Sequence, residues 1–268
     1  MDGKIRDIND KGQRNMKMPF ISIKNVCVTY NPEHPTECVY ALEGLSIVID
    51  KGSFVTVIGP SGCGKSTLLY CVGNLLEPTE GDMSIDGKSP QEARKNRMFG
   101  YVPQDPTLMD WKSVFENIAL PFKIMGVKDT ERIDQLVELV GLKGFEKNYP
   151  KDLSGGMKQR VSLARALSYS PPILLMDEPF AALDALLREK MNEELLKIWR
   201  KTNTTIILVT HDIPEAILLS DRVIVLTSRP GTLREIVEID LPRPRTRKTL
   251  NLSEAHGYID RLRELLAE

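Results

Sequence analysis

The sequence lacks a long apolar run. Its longest stretch without Asp, Glu, Lys or Arg extends from Gly52 to Gly64 and contains four glycines and a proline, whereas a helix that crosses a bilayer needs about 20 apolar residues. The stretch from Met1 to Lys17 alternates charged and amide side chains and contains no apolar segment of the kind that marks a secretory signal. We therefore expect a loose N-terminal tail over residues 1–18 and a protein that stays in the cytoplasm.

Paired cysteines and an excess of positive charge are also missing. The four cysteines form no Cys-x-x-Cys pair, which argues against a disulfide framework or a zinc site and predicts reduced thiols. Lys and Arg together number 36 and Asp and Glu 37, so the formal net charge is -1. Because most nucleic-acid-binding proteins carry a clear basic excess, we expect no nucleic acid among the partners.

Apolar runs that suit strands alternate with segments of helical spacing. Three runs are almost entirely apolar, as is typical of central strands covered on both faces: Phe54 to Ile58, Ile173 to Met176 and Thr205 to Val209. Further strand candidates are Ile21 to Tyr30, Leu45 to Ile49, Phe99 to Val102 and Val223 to Leu226. From about residue 105 to 160 the spacing is helical. The sequence therefore predicts an α/β fold with a mainly parallel sheet and a helical insertion.

A phosphate-binding loop follows the first of these buried runs. Residues 59 to 66 read Gly-Pro-Ser-Gly-Cys-Gly-Lys-Ser and match G-x-x-x-x-G-K-[ST], between a strand and a helical stretch. The glycines allow the backbone to form a concave nest of N–H groups, and the positive end of the next helix favours an anion. We expect Lys65 to reach the β- and γ-phosphates and the Ser66 hydroxyl to hold Mg²⁺.

Two carboxylates end the second buried run. Asp177 and Glu178 follow Ile173 to Met176 directly, and ligands of such sheets bind at the carboxyl ends of parallel strands. Asp177 suits Mg²⁺, which takes carboxylate oxygen directly or through water. Glu178 suits a general base that polarises the attacking water. A solvated strand end is the alternative interpretation, and the upstream phosphate loop makes the functional one preferable.

Three polar or aromatic residues lie at the ends of other strands. Gln104 could contact Mg²⁺ or orient water, or could cap a turn. His211 follows Thr205 to Thr210 and is either functional or a packed strand-end histidine. Tyr30 could stack on a purine or belong to the core. Local pattern leaves each choice open.

Two residues at the starts of predicted helices could also be either structural or functional. Ser154 precedes two glycines and a helical stretch, so it either only caps this helix or belongs to a second surface whose exposed amides suit phosphate, and the local pattern leaves the choice open. Without a functional role, Asp184 would simply be the N-cap of the predicted helix Ala185 to Lys201. Near the C-terminus lies a basic run, which we interpret as solvated, with contact to acidic lipid or a partner subunit left open: Arg243, Arg245, Arg247 and Lys248.

Together these motifs resemble the ATP-binding cassette (ABC) ATPases over about residues 21 to 227, in the order of that family. The resemblance identifies Gln104 with the Q-loop, Asp184 with the D-loop and His211 with the switch histidine. It identifies an ATP-binding set in Tyr30, Gly59, Pro60, Ser61, Gly62, Cys63, Gly64, Lys65, Ser66 and Thr67. It identifies the signature, which contacts ATP on the partner copy, in Ser154, Gly155, Gly156 and Met157. Met157 departs from the glutamine that is commonest there.

The resemblance implies roles and partners that spacing alone does not supply. It implies catalysis by Glu178, His211, Lys65 and Gln104, with Mg²⁺ held by Ser66, Gln104 and Asp177. It implies the ABC ATPase fold, a P-loop core related to RecA with an antiparallel β edge and a helical subdomain. It also implies a dimer of this chain that sandwiches two ATP molecules, separate transmembrane permease subunits at the cytoplasmic face of the cell membrane, and an indirect link to an extracytoplasmic solute-binding protein. The corresponding domain limits are 19–228 for the ATPase domain, about 105–160 for the helical subdomain and 229–268 for a C-terminal extension.

Finer features resemble the nitrate, sulfonate and taurine importers, which implies small anionic solutes. They lie in Leu153 to Arg160, Glu178 to Ala185, Arg229 to Gly231 and Leu241 to Arg245. Two alternatives remain at this point. One is an ABC ATPase of DNA repair or translation, which usually carries two cassettes or a long coiled coil; the other is a small-molecule P-loop kinase, which does not need the signature or His211.

Overall fold

The computed structural model describes residues 19–34 and 37–267, so the predicted N-terminal tail lies outside the described residues. The strands are β1 (Ile21–Tyr30), β2 (Val39–Ile49), β3 (Phe54–Ile58), β4 (Glu80–Ile85), β5 (Phe99–Val102), β6 (Ile173–Asp177), β7 (Thr205–Val209), β8 (Arg222–Leu226) and β9 (Leu233–Glu238). The α-helices are α1 (Lys65–Val72), α2 (Pro90–Lys95), α3 (Val114–Ile118), α4 (Leu120–Ile124), α5 (Thr130–Leu139), α6 (Gly155–Ala166), α7 (Ala185–Thr202), α8 (Ile213–Leu219) and α9 (Ser253–Ala267). Across these residues, no helix is long and apolar enough to span a membrane.

The strands form two sheets. The larger has the order β5-β6-β7-β3-β8-β9, in which every pair is parallel except β8 with β9. The smaller is antiparallel and has the order β2-β1-β4. The strand β3, which leads into the phosphate loop, therefore lies between β7 and β8, and β6 with its terminal carboxylates lies next to β7. The predicted parallel sheet and its antiparallel companion are both present.

Side chains on the two faces of β6 enter different hydrophobic clusters. Leu174 and Met176 join the cluster formed with α3, α5, α6 and α7, whereas Ile173 and Leu175 join the cluster formed with α1 and the antiparallel sheet. Successive strand residues point to opposite faces, so this alternation means that both faces of the sheet are covered. A third cluster packs α8 and α9 against β8 and β9.

Three elements were absent from the sequence prediction. The strand β4 reads Glu-Gly-Asp-Met-Ser-Ile and is buried only at Ile85, so it has no apolar run to reveal it. The helices α2 and α8 span 6 and 7 residues, which is too short for a helical period to be read. Each begins with a side chain that caps the helix, Ser89 for α2 and Asp212 for α8, so capping was the signal available.

The interpretation of the basic run near the C-terminus as solvated was wrong for Arg243 and Arg245, whereas Arg247 and Lys248 are exposed. Arg245 is 3% exposed and donates five hydrogen bonds to the carbonyl oxygens of Ile217, Ser220, Ile239 and Leu241. Arg243 pairs with Asp221 at 2.8 Å and its guanidinium lies 4.3 Å from the centre of the Trp199 ring. Arg243 and Arg245 thus fasten the C-terminal segment to the end of α8.

Candidate active site

The loop from Gly59 to Gly64 joins β3 to α1 and forms the predicted phosphate-binding nest, which we call the cradle. Gly62 and Gly64 have φ of 75° and 99°, in the left-handed region that favours glycine, and a Cβ at Gly64 would lie 2.7 Å from the Ala41 carbonyl oxygen. The ammonium of Lys65 donates to the carbonyl oxygens of Gly59 and Pro60, both at 2.9 Å. The Lys65 ammonium therefore lies at the loop, where the oxygens of a bound anion can replace the two carbonyl oxygens as its hydrogen-bond acceptors.

Ser66 and Asp177 meet behind the loop. The Ser66 hydroxyl donates to Asp177 Oδ1 at 2.9 Å, and the Tyr101 hydroxyl donates to the other carboxylate oxygen at 3.4 Å. Burial raises the pKa of Asp177 above its usual value. A hydroxyl beside a carboxylate is the hard oxygen donor set that Mg²⁺ prefers, so the residues fit this ion. Among the described residues no cluster of three His, Cys, Asp or Glu suits a metal, so phosphate oxygens and water would complete its coordination.

Glu178 and His211 form a second pair at the same edge of the sheet. Glu178 Oε2 lies 2.9 Å from His211 Nδ1, and the backbone N–H of Glu178 donates to the carbonyl oxygen of Val209 at 2.9 Å. Glu178 has φ 43°, which is uncommon for a residue other than glycine. The pairing of β6 with β7 thus brings together two residues that the sequence placed at separate strand ends.

An open cavity of about 290 Å³ contains the phosphate loop and its surroundings. Its lining residues include Tyr30, Lys65, Ser66, Thr67 and Glu178. The Tyr30 hydroxyl lies 3.1 Å from the Thr67 hydroxyl, so the aromatic ring stands over the start of α1 instead of in the core. The structure therefore brings the predicted phosphate-binding residues, the aromatic residue and the general base candidate into one space. Cys63 is buried inside the loop, and burial raises the pKa of its thiol.

Other predicted site residues lie away from this cavity. Gln104 is exposed beyond the end of β5 and does not line the cavity. Ser154 caps α6, since its hydroxyl accepts from the Met157 N–H at 3.3 Å, and Asp184 caps α7 by accepting from the Leu187 N–H at 3.0 Å. Both capping interpretations are therefore correct. Neither excludes contact with a second copy of the chain.

Gly156 has a packing role that the sequence did not reveal. A Cβ at Gly156 would lie 2.7 Å from Leu187 Cδ2, whereas a Cβ at the exposed Gly155 would lie 3.6 Å from Leu183 Cδ2. A side chain at position 156 would therefore have to displace the Leu187 side chain, which packs against Gly156 between α6 and α7. Gly155 and the Ser154 side chain remain at the surface.

The cavity also contains three residues that sequence reasoning missed: Val39, Ala41 and Arg229. Arg229 begins the Arg-Pro-Gly segment after β8, which the sequence analysis identified as a feature of the importer family but not as part of the site. Its position just beyond the carboxyl end of a parallel strand was the available signal, because the other site residues share that position.

Comparison with known proteins finds ABC transporter proteins, both among family models and among individual relatives. The family model described as ABC transporter matches residues 42–181. The chain is 44% identical over 234 residues to the aliphatic sulfonates import ATP-binding protein SsuB of Bacillus cereus, which covers 87% of this chain and 92% of the relative. It is 43% identical over 230 residues to the nitrate import ATP-binding protein NrtD of Synechococcus elongatus, which covers 84% and 83%.

A solved structure of similar fold is dimeric. It is the post-hydrolysis state of the ATP-binding cassette MJ0796 bound to ADP and Pi, with a TM-score of 0.71 and 33% identity. The match covers 82% of this chain and 98% of that one.

Proposed function

The chain belongs to the ABC transporter family as an ATP-hydrolysing subunit of an importer, and we propose how its residues perform this activity and what they energise. The importer assignment takes precedence over a soluble ABC ATPase and over a small-molecule kinase, because import ATP-binding proteins match this chain along most of their length. The observation that carries the proposal is the convergence of Lys65, the Ser66–Asp177 pair and the Glu178–His211 pair at one edge of the sheet.

The phosphate loop binds the nucleotide. Amides at the start of α1 and the Lys65 ammonium hold the β- and γ-phosphates, and Lys65 exchanges its carbonyl partners for phosphate oxygens. Tyr30 stacks on the adenine. Ser66 and Asp177, with Gln104, hold Mg²⁺, which when bound neutralises charge on the phosphates. Because Gln104 does not line the cavity, this role requires it to move inward when nucleotide binds.

Glu178 and His211 act on the water that attacks the γ-phosphate. Glu178 accepts a proton from this water as general base, a contribution of about 10² to 10⁴ in rate. His211 Nδ1 lies 2.9 Å from the Glu178 carboxylate. With the proton on Nδ1, His211 donates to this carboxylate and fixes it, and the Nε2 lone pair accepts a hydrogen bond from the attacking water, which holds the water against the γ-phosphate. The two side chains thus position one another before the nucleotide arrives.

A second copy completes each site. We place the signature residues Ser154 to Met157 of one copy against the phosphate loop of the other, because they lie outside the cavity of their own chain and the similar cassette is dimeric. Binding of two ATP molecules closes this dimer, and hydrolysis reopens it.

The importer context supplies the remaining partners. Separate permease subunits hold the dimer at the cytoplasmic face of the cell membrane, a solute-binding protein delivers the solute from outside, and the solute is a small anion such as a sulfonate or nitrate, as named for the relatives. The helices between residues 105 and 160 contact the permease as a subdomain of the ATPase domain, 19–228, and residues 229–268 form an extension.

Magnesium-dependent release of phosphate from ATP by the purified chain tests the hydrolytic part of this proposal. Lys65→Ala is expected to abolish ATP binding in calorimetry, whereas Lys248→Ala, at an exposed position outside the cavity, should bind ATP like the natural chain. Undiminished binding by Lys65→Ala would contradict the assignment. Co-purification with a permease after joint expression tests the transport part.

A further inference from the structure

The turn after β8 has a fixed conformation. The Thr227 N–H donates to the Thr232 carbonyl oxygen at 3.1 Å, and the Thr232 N–H donates back to the Thr227 hydroxyl oxygen at 2.9 Å. The Thr227 hydroxyl also lies 3.3 Å from the Pro230 carbonyl oxygen, to which it donates. These bonds close the turn over Arg229, so the backbone of Arg229 is held in place by its neighbours.

The same turn is hydrogen-bonded to β2 and packs closely against the phosphate loop. The Gly231 N–H donates to the Ala41 carbonyl oxygen at 2.9 Å, and the Glu43 N–H donates to the Gly231 carbonyl oxygen at 3.1 Å. A Cβ at Gly231 would lie only 2.0 Å from the carbonyl oxygen of Cys63, inside the phosphate loop. Gly231 therefore lies between β2 and the loop, and the position of Arg229 is tied to that of the cradle.

Arg229 lines the cavity that holds the phosphate loop and has no partner among the residues that the structure describes. Its side chain is exposed and shares the cavity with Lys65 and Glu178. Within residues 19–34 and 37–267 it makes neither a hydrogen bond nor an ion pair. Its five N–H donors are therefore unused by the described residues, whereas other arginines, such as Arg222 and Arg261, pair with acids.

We propose that Arg229 binds the phosphate chain of the nucleotide in its own subunit, as a second cation beside Lys65. The proposal rests on the ATP site described above and adds a binding residue to it. A guanidinium can donate two parallel N–H groups to phosphate oxygens, which a lysine ammonium cannot do in the same geometry. Because Gly231 is bonded to β2 and packs against the phosphate loop, the backbone that carries Arg229 does not have to be ordered when the guanidinium binds the phosphates.

Calorimetric titration with magnesium and either ADP or inorganic tripolyphosphate tests this contact. ADP has no γ-phosphate to hydrolyse, and tripolyphosphate lacks the base and ribose. Arg229→Gln is expected to weaken both ligands by roughly ten-fold, as for loss of a hydrogen bond to a charged group at an exposed site. Arg229→Lys should recover part of the affinity. The charge control is Arg263→Gln, which removes an exposed arginine on α9 outside the cavity and should change neither affinity.

Three results would overturn the inference. Unchanged affinities in Arg229→Gln would show that the side chain does not contact the ligand. Loss of ADP affinity with tripolyphosphate affinity retained would assign the contact to the adenosine part. Equal losses in Arg263→Gln would show a general charge effect. If instead the natural chain bound neither ligand, the proposed function would fail together with this inference, so the two failures are distinguishable.

Discussion

Glu178 and His211 lie 33 positions apart in the chain and meet at 2.9 Å between Oε2 and Nδ1. Their contact follows from the parallel pairing of β6 with β7, in which Asp177 lies opposite Val209. The residues just beyond these two strand ends therefore fall side by side. The backbone bond from the Glu178 N–H to the Val209 carbonyl oxygen fixes the carboxylate at this edge.

Replacement of Glu178 by glutamine separates binding from hydrolysis. The amide keeps the size of the side chain but cannot accept a proton, so turnover should fall by about 10² to 10⁴. ATP binding should persist, and an ATP-bound dimer should accumulate. Steady-state phosphate release and light scattering with magnesium and ATP measure the two effects. Glu264→Gln, an exposed position on α9, is the matched control, and turnover of Glu178→Gln near that of the control would remove the general base assignment.

Gly231→Ala should disturb the phosphate loop. The added Cβ would lie 2.0 Å from the Cys63 carbonyl oxygen, so the loop or the turn must shift, and a displacement of this size costs on the order of 10²-fold in turnover. Gly257→Ala is the matched control, because a Cβ there meets nothing within 4 Å. It lies inside α9 and should stabilise the chain by up to about 1 kcal/mol. Comparable ATPase activity in both variants would mean that the close approach is unimportant.

Glu215 should make stability depend on pH. It is 4% exposed, and burial raises its pKa from 4.5 to about 7. Between pH 4.5 and about 7 the unfolded chain releases the Glu215 proton while the folded chain keeps it. The free energy of unfolding therefore falls as pH rises through this range, and the full loss is reached above about pH 7. At about 1.4 kcal/mol per pKa unit, the cost is on the order of 3 kcal/mol.

Glu215→Gln is neutral at every pH and should remove this dependence. The variant should therefore have a higher free energy of unfolding than the natural chain at pH 8, with a smaller difference at pH 5. Urea denaturation at both pH values measures the difference. A gap that is the same at pH 5 and pH 8 would show that Glu215 does not titrate in this range.

Arg245→Met should lower stability strongly although it lies in the C-terminal segment. The change leaves four carbonyl oxygens without their guanidinium donor, and each buried unpaired group costs about 1 to 3 kcal/mol. We expect a loss of at least about 3 kcal/mol in the free energy of unfolding, measured from the urea midpoint. Lys248→Met, in the same basic run but exposed, should change it by less than about 0.5 kcal/mol. Equal urea midpoints in the two variants would contradict a stabilising role of the Arg245 hydrogen bonds.

Features that depend on local pattern could be predicted from the sequence. The apolar runs at Phe54–Ile58 and Thr205–Val209 are strands, as expected, because continuous burial leaves a continuous apolar signature. The match between the loop motif and its strand and helix neighbours likewise predicted the cradle. Capping by Ser154 and Asp184 was readable because each cap bonds within three residues.

Features that depend on strand order could not be predicted in this way. Nothing local to Glu178 or His211 states that β6 and β7 are neighbours, so their contact required the structure. Burial of Arg245 depends on carbonyl groups up to 28 positions away, and a basic run with prolines has the composition of a solvated segment. Arg229 was missed although its position just beyond the end of β8 was a signal, because only the structure shows that its turn lies beside the phosphate loop.

The left-handed backbone at Glu178, with φ 43°, places protein stability and the rate of ATP hydrolysis in opposition at one residue. A side chain in this region costs on the order of 1 kcal/mol relative to glycine, so exchange of Glu178 for glycine would relax the chain there and delete the carboxylate in the same step. Selection for heat resistance alone would favour the inert form. The carboxylate at Glu178 is therefore present at a local cost in backbone strain, which is a trade of stability for activity.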